Sequence, residues 1–403
     1  MHFCGLRDAG DLRGKRVIVR EDLNVPLKDG AVADDTRLVA ALETLRYLRD
    51  AGARTIVLSH LGRPDGKVKA GLSLRPVAAR LARLLGSPVG FAEDCTGPAA
   101  QAAVAALRDG DIVVLENVRF HPEEEANDPA FAANLARLGE VYVNDAFGTA
   151  HRAHASTEGI AQYLPAFAGF LMEDELAALD KLTSAPRQPF VCVIGGAKVK
   201  DKIGVLTHLL ERVAAFAIGG GMANTFLAAQ GVDVGHSLRD ADLEPAKAIL
   251  AEAARKGVEL HLPVDAIVAP SFDAEREAHA VSLDAVGSGM ILDIGPETAR
   301  AYAALVRGAK TIVFNGPMGV YEKPAYQNGT RVVGEAIAEA TRHGAVSVVG
   351  GGDAAAAAHT LGFAEAMTHV STGGGATLEF LEGKTLPGVA ALERAAQRQG
   401  ARA

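Results

Sequence analysis

The chain has 403 residues, 49% of them hydrophobic, and a formal net charge of −8 at neutral pH. This length favours two or three domains with separate cores, and the acidic balance argues against nucleic acid or an anionic membrane surface as the main partner. The three cysteines are too widely spaced for a zinc motif or a disulfide framework, so we expect a reducing compartment. The sequence shows neither a secretory signal pattern nor an apolar run long enough to span a membrane, which predicts a soluble, cytoplasmic protein.

Short runs of β-branched residues alternate with longer helical patterns along the whole chain. The runs lack polar alternation, which is typical of strands buried on both faces of a parallel sheet. We therefore predict an α/β fold made of two doubly wound, Rossmann-like domains with parallel sheets, joined by a hinge helix. The predicted strands are 17–19, 55–58, 112–115, 141–143, 190–194, 216–218, 311–314, 346–349 and 368–370.

A helical pattern followed by prolines divides the chain into two unlike halves. The spacing of Met172 and Leu176 predicts an amphipathic helix over 171–182, and Pro186 prevents its continuation. The expected parts are an N-terminal domain over 1–170, a hinge helix over 171–186 and a C-terminal domain over 187–386.

Arginines, histidines and short polar residues follow the predicted strands of the first half. In open α/β sheets, ligands bind beyond the carboxyl ends of the strands, where these residues gather. A guanidinium group presents a planar fork that matches phosphate and carboxylate groups. We therefore predict a site for a small, multiply charged anion. Its candidate residues are Arg20, Asp22, Asn24, Arg37, His60, Arg63, Arg119 and Arg152.

Several of these residues also have simpler interpretations. A single arginine in such a turn is most often part of a surface ion pair, and Asp22 and Asn24 are equally suited to shaping a turn. His151 and His154 have a spacing that suits a metal, but no third ligand lies nearby in the sequence. His121, which begins an acidic segment, is expected at the surface.

Glycine-rich turns and two lysines follow the predicted strands of the second half. The sequence contains no P-loop and no dinucleotide fingerprint, which argues against a P-loop NTPase, a protein kinase and a nicotinamide dehydrogenase. The Gly-Gly-Gly-Asp segment 350–353 precedes an alanine-rich helix whose N-terminus suits a phosphate. Asp353 either caps that helix or holds Mg²⁺ on the phosphates. Lys198 and Lys202 are expected on one helix face, where they form a solvated surface or contact phosphate.

These motifs, in this order, resemble those of the phosphoglycerate kinase family, and the resemblance runs from Val17 to about Leu392. The motifs are REDLNVP, DDTRL, SHLGRP, ENVRF, NDAFGTAHRAHAS, GGAKVKDK, IGGGM, NGPMGVYE, GGGD and HVSTGGGATLE. The resemblance implies a phosphotransferase with a carboxyl group as acceptor. Such an enzyme transfers the acyl phosphate of 1,3-bisphosphoglycerate to ADP, reversibly, giving 3-phosphoglycerate and ATP with Mg²⁺ as cofactor. We expect direct in-line transfer on domain closure, and a monomer with no nucleic-acid or membrane partner.

The resemblance also implies a role for each matching residue. The catalytic residues would be Arg37, Lys198 and Lys202. The glycerate ligand would be bound by Arg20, Asp22, Leu23, Asn24, Arg37, His60, Leu61, Gly62, Arg63, Arg119 and Arg152. The nucleotide would be bound by Gly196, Ala197, Lys198, Lys202, Gly220, Gly221, Asn315, Pro317, Glu322, Gly351, Gly352, Asp353 and Ala354. Asp353 would hold Mg²⁺ through the nucleotide, and residues from about 387 to 403 would return to the N-terminal domain.

Three residues depart from the family pattern. Ala354 stands where Ser or Thr is usual, so only its backbone N–H can serve a phosphate, and Phe314 replaces a tryptophan. Glu21 stands where valine is common and is expected to place an anion beside Arg20. The alternative hypothesis is a protein that is not an enzyme: a two-domain anion-binding protein that closes on its ligand without turnover.

Overall fold

The computed structural model describes residues 2–400, which form two compact units. The first contains residues 2–176 and 385–400, and the second contains residues 177–384. Each unit is built on a six-stranded parallel sheet, which confirms the predicted α/β class. Within the described residues, no helix is both long enough and apolar enough to cross a membrane.

The first unit is a parallel sheet covered by helices. Its strands are β1 Arg16–Arg20, β2 Leu27–Lys28, β3 Ala31–Val32, β4 Arg54–Leu58, β5 Val89–Ala92, β6 Ile112–Leu115, β7 Val141–Asn144 and β8 Ala166–Ala168. The helices up to the unit boundary are α1 Thr36–Ala40, α2 Leu42–Asp50, α3 Arg75–Leu85, α4 Gly97–Ala105, α5 Pro122–Glu125, α6 Pro129–Ala136 and α7 Phe170–Thr183. The sheet order is β5-β6-β4-β1-β7-β8, while β2 and β3 form a separate hairpin.

The central strand β1 sets the position of the polar residues in this unit. Its apolar residues Val17, Ile18 and Val19 are completely buried, because helices cover both faces of the sheet. Arg20, at its carboxyl end, lies in register with the last residues of β4 and β7. The segments that follow these three strands therefore emerge at the same end of the sheet.

The second unit contains a parallel sheet and a small antiparallel sheet. Its strands are β9 Phe190–Ile194, β10 Ala215–Ile218, β11 Glu259–His261, β12 Asp265–Ala269, β13 His279–Ser282, β14 Met290–Ile294, β15 Thr311–Asn315, β16 Val346–Val349 and β17 His369–Val370. Its helices are α8 Ile203–Leu209, α9 Gly220–Ala229, α10 Glu244–Lys256, α11 Pro296–Arg307, α12 Asn328–Arg342, α13 Gly352–Thr360 and α14 Gly374–Leu381.

The topology of the second unit predicts where a ligand binds. The parallel sheet has the order β11-β10-β9-β15-β16-β17, so the chain reverses its direction of winding between β9 and β15. Ligands of doubly wound folds bind at such a switch point, beyond the carboxyl ends of the strands.

The sequence patterns missed the β2–β3 hairpin, β5, β8, β11 and the antiparallel sheet β13-β12-β14. These strands are short or partly exposed; β13, for example, has no fully buried residue. Their extended conformation depends on pairing with a neighbouring strand, which a local pattern of β-branched residues does not reveal.

Helix α7 matches the helix predicted over 171–182 and extends it by one residue at each end. Asp145 accepts a hydrogen bond from the backbone N–H of Met172 at 3.1 Å, which holds the first turn of the helix. The division between the two units falls inside α7, after Leu176. Whether the helix acts as a hinge stays a prediction.

The last helix, α15 Pro387–Gly400, belongs to the first unit. The N–H of Gly388 donates to the carbonyl of Ala150 at 2.8 Å, and the guanidinium of Arg398 donates to the carbonyl of Ala161 at 2.6 Å. Leu392 is completely buried, so this helix is part of the core of the unit.

Candidate functional site

The first candidate site lies at the carboxyl end of the sheet in the first unit. Arg37 Nη1 donates to Asp22 Oδ2 at 2.7 Å, and the other oxygen of Asp22 lies 3.9 Å from His60 Nδ1. Arg20 Nη2 lies 3.2 Å from the same ring nitrogen. Four of the predicted residues, from the ends of β1 and β4 and the start of α1, therefore form one connected cluster.

The segment after β4 is held in place by hydrogen bonds to its neighbours. The N–H of Gly62 donates to Asn24 Oδ1 at 2.9 Å, and the Gly62 carbonyl accepts from Arg119 Nη1 at 2.9 Å. The N–H of Leu23 donates to Ser59 Oγ at 2.9 Å. A side chain at Gly62 would be strained, because its φ is +63° and a Cβ would lie 2.7 Å from Leu72.

Asn117 supports the same segment and was not among the predicted site residues. Its side-chain amide donates to the carbonyls of Leu61 at 2.8 Å and Leu72 at 2.9 Å. Its oxygen accepts the backbone N–H of Arg119 at 3.1 Å. Asn117 lies inside ENVRF, one of the motifs recognised in the sequence. The neighbouring residues in the sequence do not indicate whether its side-chain amide is buried or solvated.

Positive charge is concentrated at this site. Burial first, and then the charges of Arg20, Arg119 and Arg37, lower the pKa of His60 well below its usual value. Burial first, and then the charges of Arg119, Arg20 and Arg152, lower the pKa of His154 to about 3. Both imidazoles are therefore neutral at pH 7, and the cluster attracts an anion with several charges.

The predicted arginines differ in their access to solvent. Arg20 is fully buried, and its Nε donates to Ser156 Oγ at 2.9 Å, so it lies beneath the site. Arg119 is also nearly buried, whereas Arg37 and Arg152 are half-buried. Arg63 is exposed, and within residues 2–400 its guanidinium makes no hydrogen bond to the other candidates.

His121, which was expected at the surface, and the acidic segment that follows it are partly buried. Glu124 is completely buried, because the short helix α5 turns it inward, where it accepts from Ser156 N at 2.8 Å and from Ser156 Oγ at 2.5 Å. His121 is half-buried, and its Nε2 lies 2.8 Å from Asp94 Oδ1.

In the described chain, neither His151 nor His154 joins a group of three possible metal ligands.

The surroundings of Glu21 do not favour the anion that was expected beside Arg20. The side chain of Glu21 is completely buried; no N–H or hydroxyl group donates to either carboxylate oxygen, and its side-chain hydrogen bond is to the carboxyl group of Asp145. Burial, and then the charge of Asp145, raise the pKa of Glu21 well above its usual value, so the neutral form is favoured. Burial also raises the pKa of Asp145 to about 6. Two carboxylates can hydrogen-bond to each other only when one carries a proton, and we infer that this pair shares one.

The second candidate site lies at the switch point of the sheet in the second unit. The turns that follow β9, β10 and β15 meet there backbone to backbone: Gly220 N donates to the carbonyl of Met318 at 2.8 Å. A Cβ at Gly195 would lie 1.9 Å from the carbonyl oxygen of Pro317, which leaves no space for any side chain. These turns therefore need glycine in order to approach one another.

Lys202 and Asn315 link the turns at this site. Lys202 Nζ donates to Asn315 Oδ1, and Asn315 Nδ2 donates to the carbonyl of Gly350 at 2.6 Å. Burial lowers the pKa of Lys202, an effect that the nearby carboxylate of Asp353 opposes.

Lys198 and Lys202 do not lie on one helix face, contrary to expectation. Lys198 has an extended backbone, and Lys202 lies between a 3₁₀ turn and the start of α8. A 3₁₀ turn, Val199–Asp201, separates the two lysines, and the carboxylate of Asp240 accepts the backbone N–H groups of its first residues, Val199 at 2.8 Å and Lys200 at 3.3 Å.

Two helix N-termini lie side by side at this site. A Cβ at Gly374, the first residue of α14, would lie 3.3 Å from the backbone nitrogen of Gly352, the first residue of α13. Their unpaired N–H groups form an environment that favours phosphate. Asp353 is exposed and does not cap α13, because the N-cap is Gly351 and no side chain bonds there. Ala354 is buried, so only its backbone faces this region.

A cavity of about 870 Å³ opens beside these turns. It is lined by predicted residues of the glycine turns, such as Gly220, and Glu322 and Asp353 are also at its wall. Its apolar surface includes Phe272, Met290 and other residues that the sequence did not suggest. Phe272 and Met290 come from the unpredicted antiparallel sheet and its loops, so no local motif pointed to them.

The proton shared by Glu21 and Asp145 predicts an unusual pH dependence of stability. The pKa of Glu21 in the folded protein lies above its value of about 4.3 in an unfolded chain. Above that pH the folded protein binds more protons than the unfolded chain, so the free energy of unfolding falls as the pH rises. Glu21→Gln removes this loss and supplies an N–H donor to Asp145. The variant should exceed the native chain by more than about 1 kcal/mol at pH 7 and converge with it near pH 4.

Urea unfolding between pH 4 and 8 measures this difference. The exposed Glu123 provides a control, since Glu123→Gln should leave the pH profile unchanged. A Glu21→Gln profile parallel to that of the native chain would show that Glu21 is already ionised in the folded protein.

Comparisons of sequence and of structure with known proteins all identify the same family. The sequence profile of the family described as phosphoglycerate kinase matches residues 6–384. The phosphoglycerate kinase of Chloroflexus aggregans is 55% identical over 97% of this chain and 98% of that protein. That of Moorella thermoacetica is 56% identical over 95% of this chain and 97% of that protein. The solved structure of phosphoglycerate kinase from Coxiella burnetii is similar with a TM-score of 0.89 and 43% identity, over 98% of this chain and all of that one.

Proposed function

Because the chain belongs to the phosphoglycerate kinase family and has its activity, we propose that the first unit binds the glycerate ligand and the second binds the nucleotide. The reaction is the reversible transfer of the acyl phosphate of 1,3-bisphosphoglycerate to ADP, which gives 3-phosphoglycerate and ATP. The observation that carries the assignment is the convergence of arginines around the neutral His60. We also propose a monomer that works in the cytoplasm.

We expect both positively charged and neutral hydrogen-bond donors, arginines and a histidine, to hold the glycerate ligand. Arg37 and Arg152 face solvent and offer guanidinium forks to phosphate or carboxylate groups. The ring of His60 accepts from Arg20 at Nδ1, so the neutral ring carries its proton on Nε2 and donates from there. The guanidinium of Arg119 donates a hydrogen bond to the carbonyl of Gly62, which holds a further positive charge at the edge of the site.

Arg37 is the residue of the first unit best suited to act during transfer. Asp22 orients its guanidinium through the 2.7 Å hydrogen bond, and the side chain remains 36% exposed. The attacking oxygen of the carboxylate or the nucleotide phosphate is already ionised at pH 7, so no general base is required. The remaining task is to stabilise charge on the moving phosphoryl group, which fixed cations do.

Arg37→Ala should therefore lower kcat by about 100-fold or more. The measurement is a coupled assay of ATP formation from ADP and 1,3-bisphosphoglycerate. Arg54 is a suitable control: it pairs with Asp109 at the amino end of β4, and Arg54→Ala should leave kcat unchanged. Near-native turnover of the Arg37→Ala variant would exclude the proposed role.

The second unit binds the nucleotide phosphates at the paired N-termini of α13 and α14. Lys202 is half-buried near Asp353 and supplies positive charge to the transferring phosphate, with Lys198 on the preceding segment. Glu322 and the apolar cavity wall suit the ribose and the base. Gly220 and Gly221 present backbone atoms only, which lets the base approach closely.

Asp353 fits the role of a Mg²⁺ ligand. Its carboxylate is exposed at the cavity wall and is not used for capping, and Mg²⁺ with nucleotides commonly binds through one or two carboxylates and the phosphates. When bound, the ion neutralises phosphate charge.

Asp353→Asn should raise the free Mg²⁺ concentration for half-maximal rate by about 10-fold or more. Initial rates measured against Mg²⁺ at saturating ADP test this, with the exposed Glu365→Gln as a control in the same unit. An unchanged Mg²⁺ dependence would show that Asp353 is not a ligand of the nucleotide-bound ion.

We propose that α7 is the hinge for closure, because the unit boundary falls within it. Direct transfer needs the two reacting groups in contact, and closure excludes water from the acyl phosphate. Ala177 is exposed on the helix just past the boundary, so Ala177→Pro breaks the helical hydrogen bonding without removing a buried side chain.

The Ala177→Pro variant should lose kcat by about 10-fold while the affinity of each ligand alone is kept. Calorimetry measures the two affinities, and small-angle scattering measures compaction with both ligands. Ala177→Ser serves as the matched control. If the proline variant turns over normally and compacts normally, α7 is not the hinge.

A further inference from the structure

A carboxylate, a thiol and an imidazole meet outside both sites described above. Asp94 and Cys95 follow β5, and His121 follows the short turn that carries Arg119. Their possible ligand atoms all lie within 4.8 Å of one another, and within residues 2–400 no other group of three such side chains does so. Neither the phosphoryl transfer nor the binding of either substrate uses these residues.

We propose that Asp94, Cys95 and His121 form a binding site for a thiophilic divalent cation, best matched by Zn²⁺. Thiolate, imidazole and carboxylate are the ligands that zinc prefers, and three protein ligands with a water molecule complete a tetrahedron. Zinc bonds of about 2.0–2.3 Å place neighbouring ligand atoms about 3.3–3.7 Å apart. The observed separation of Asp94 Oδ1 and His121 Nε2 is 2.8 Å, so a small rotation makes space for the ion.

The surrounding structure already orients the three ligands. Asp94 Oδ1 accepts the backbone N–H of Cys95 at 2.7 Å, which fixes the carboxylate beside the thiol. The ring of His121 packs against Phe131 with its centroid 5.2 Å away. Supporting contacts of this kind hold ligands in place in known metal sites.

Charge and access also favour a cation. The carboxylates of Asp94 and Glu124 lie near enough to Cys95 to act on its thiol, so negative charge surrounds the three ligands. A dication compensates these negative charges and displaces the thiol proton. Cys95 is buried, but the Asp94 and His121 side chains are 44% and 30% exposed, so an ion can enter from solvent.

The position of the site gives a bound ion a structural consequence. Asp94 and Cys95 precede α4, whereas His121 is two residues from Arg119 of the glycerate site. An ion bound by all three would cross-link these two segments. It would stabilise the segment that holds Arg119.

The test uses the full chain, reduced and freed of metals by a chelator, in excess Mg²⁺ and without nucleotide. Zn²⁺ affinity is measured by competition with a chromophoric chelator, and Co²⁺ is used to detect a thiolate-to-metal absorption band. We expect one ion per chain, a thiolate band, and a higher thermal midpoint with Zn²⁺. Cys95→Ser and His121→Asn should each weaken Zn²⁺ binding by at least about 10-fold and abolish the rise in thermal midpoint.

Two controls separate this site from scattered surface ligands. Cys4→Ser removes a half-buried thiol elsewhere in the unit, and His261→Asn removes an imidazole that lies 2.9 Å from the carboxylate of Glu259 without a thiol beside it. Both should bind Zn²⁺ like the native chain. The proposal is overturned if the native chain shows no thiolate band with Co²⁺, a result that requires no variant to fold. It is equally overturned if Cys95→Ser binds Zn²⁺ as tightly as the native chain.

Discussion

Repulsion among the guanidinium groups at the end of the first sheet is the constraint on which the architecture of that unit depends. Burial, together with the charges of Arg20, Arg119 and Arg37, keeps His60 neutral. Like charges at this density are tolerated because carboxylates lie beneath and beside them: Asp22 pairs with Arg37, and the buried Glu124 lies within the field of Arg20. The excess of positive charge that remains is relieved when an anionic ligand binds.

The second unit meets an anion by a different physical route. Its turns approach so closely that a Cβ at Gly195 would overlap a backbone carbonyl, and the paired starts of α13 and α14 present backbone N–H groups. Backbone donors add no titratable charge and suit a phosphate chain that brings its own cation. Lys202, which is partly desolvated, adds a side-chain cation to these turns through its hydrogen bond to Asn315.

Local patterns predicted the parallel sheets because buried β-branched runs are a property of short segments. They failed where a strand exists only through its partner, as in β13 and the rest of the antiparallel sheet. The same limit applied to side chains. Nothing in the acidic run around Glu124 indicates burial, and only the packing of α5 places its carboxylate against Ser156. Lys198 and Lys202 were expected on one helix face, but a 3₁₀ turn separates them, and Asp240, some forty residues away, caps that turn.

The sequence alone determined the chemistry of this protein: arginine forks, glycine turns and a Gly-Gly-Gly-Asp helix start are local features whose order identifies the family. Tertiary structure decided which of these residues face a ligand and which support others, since Arg20 and Asn117 are buried and Arg37 is not. It also brought together groups distant in the chain, such as Glu21 with Asp145 and Asp94 with His121. Burial and proximity depend on how whole elements pack, and these determine whether a carboxyl group carries a charge, shares a proton or can bind a metal.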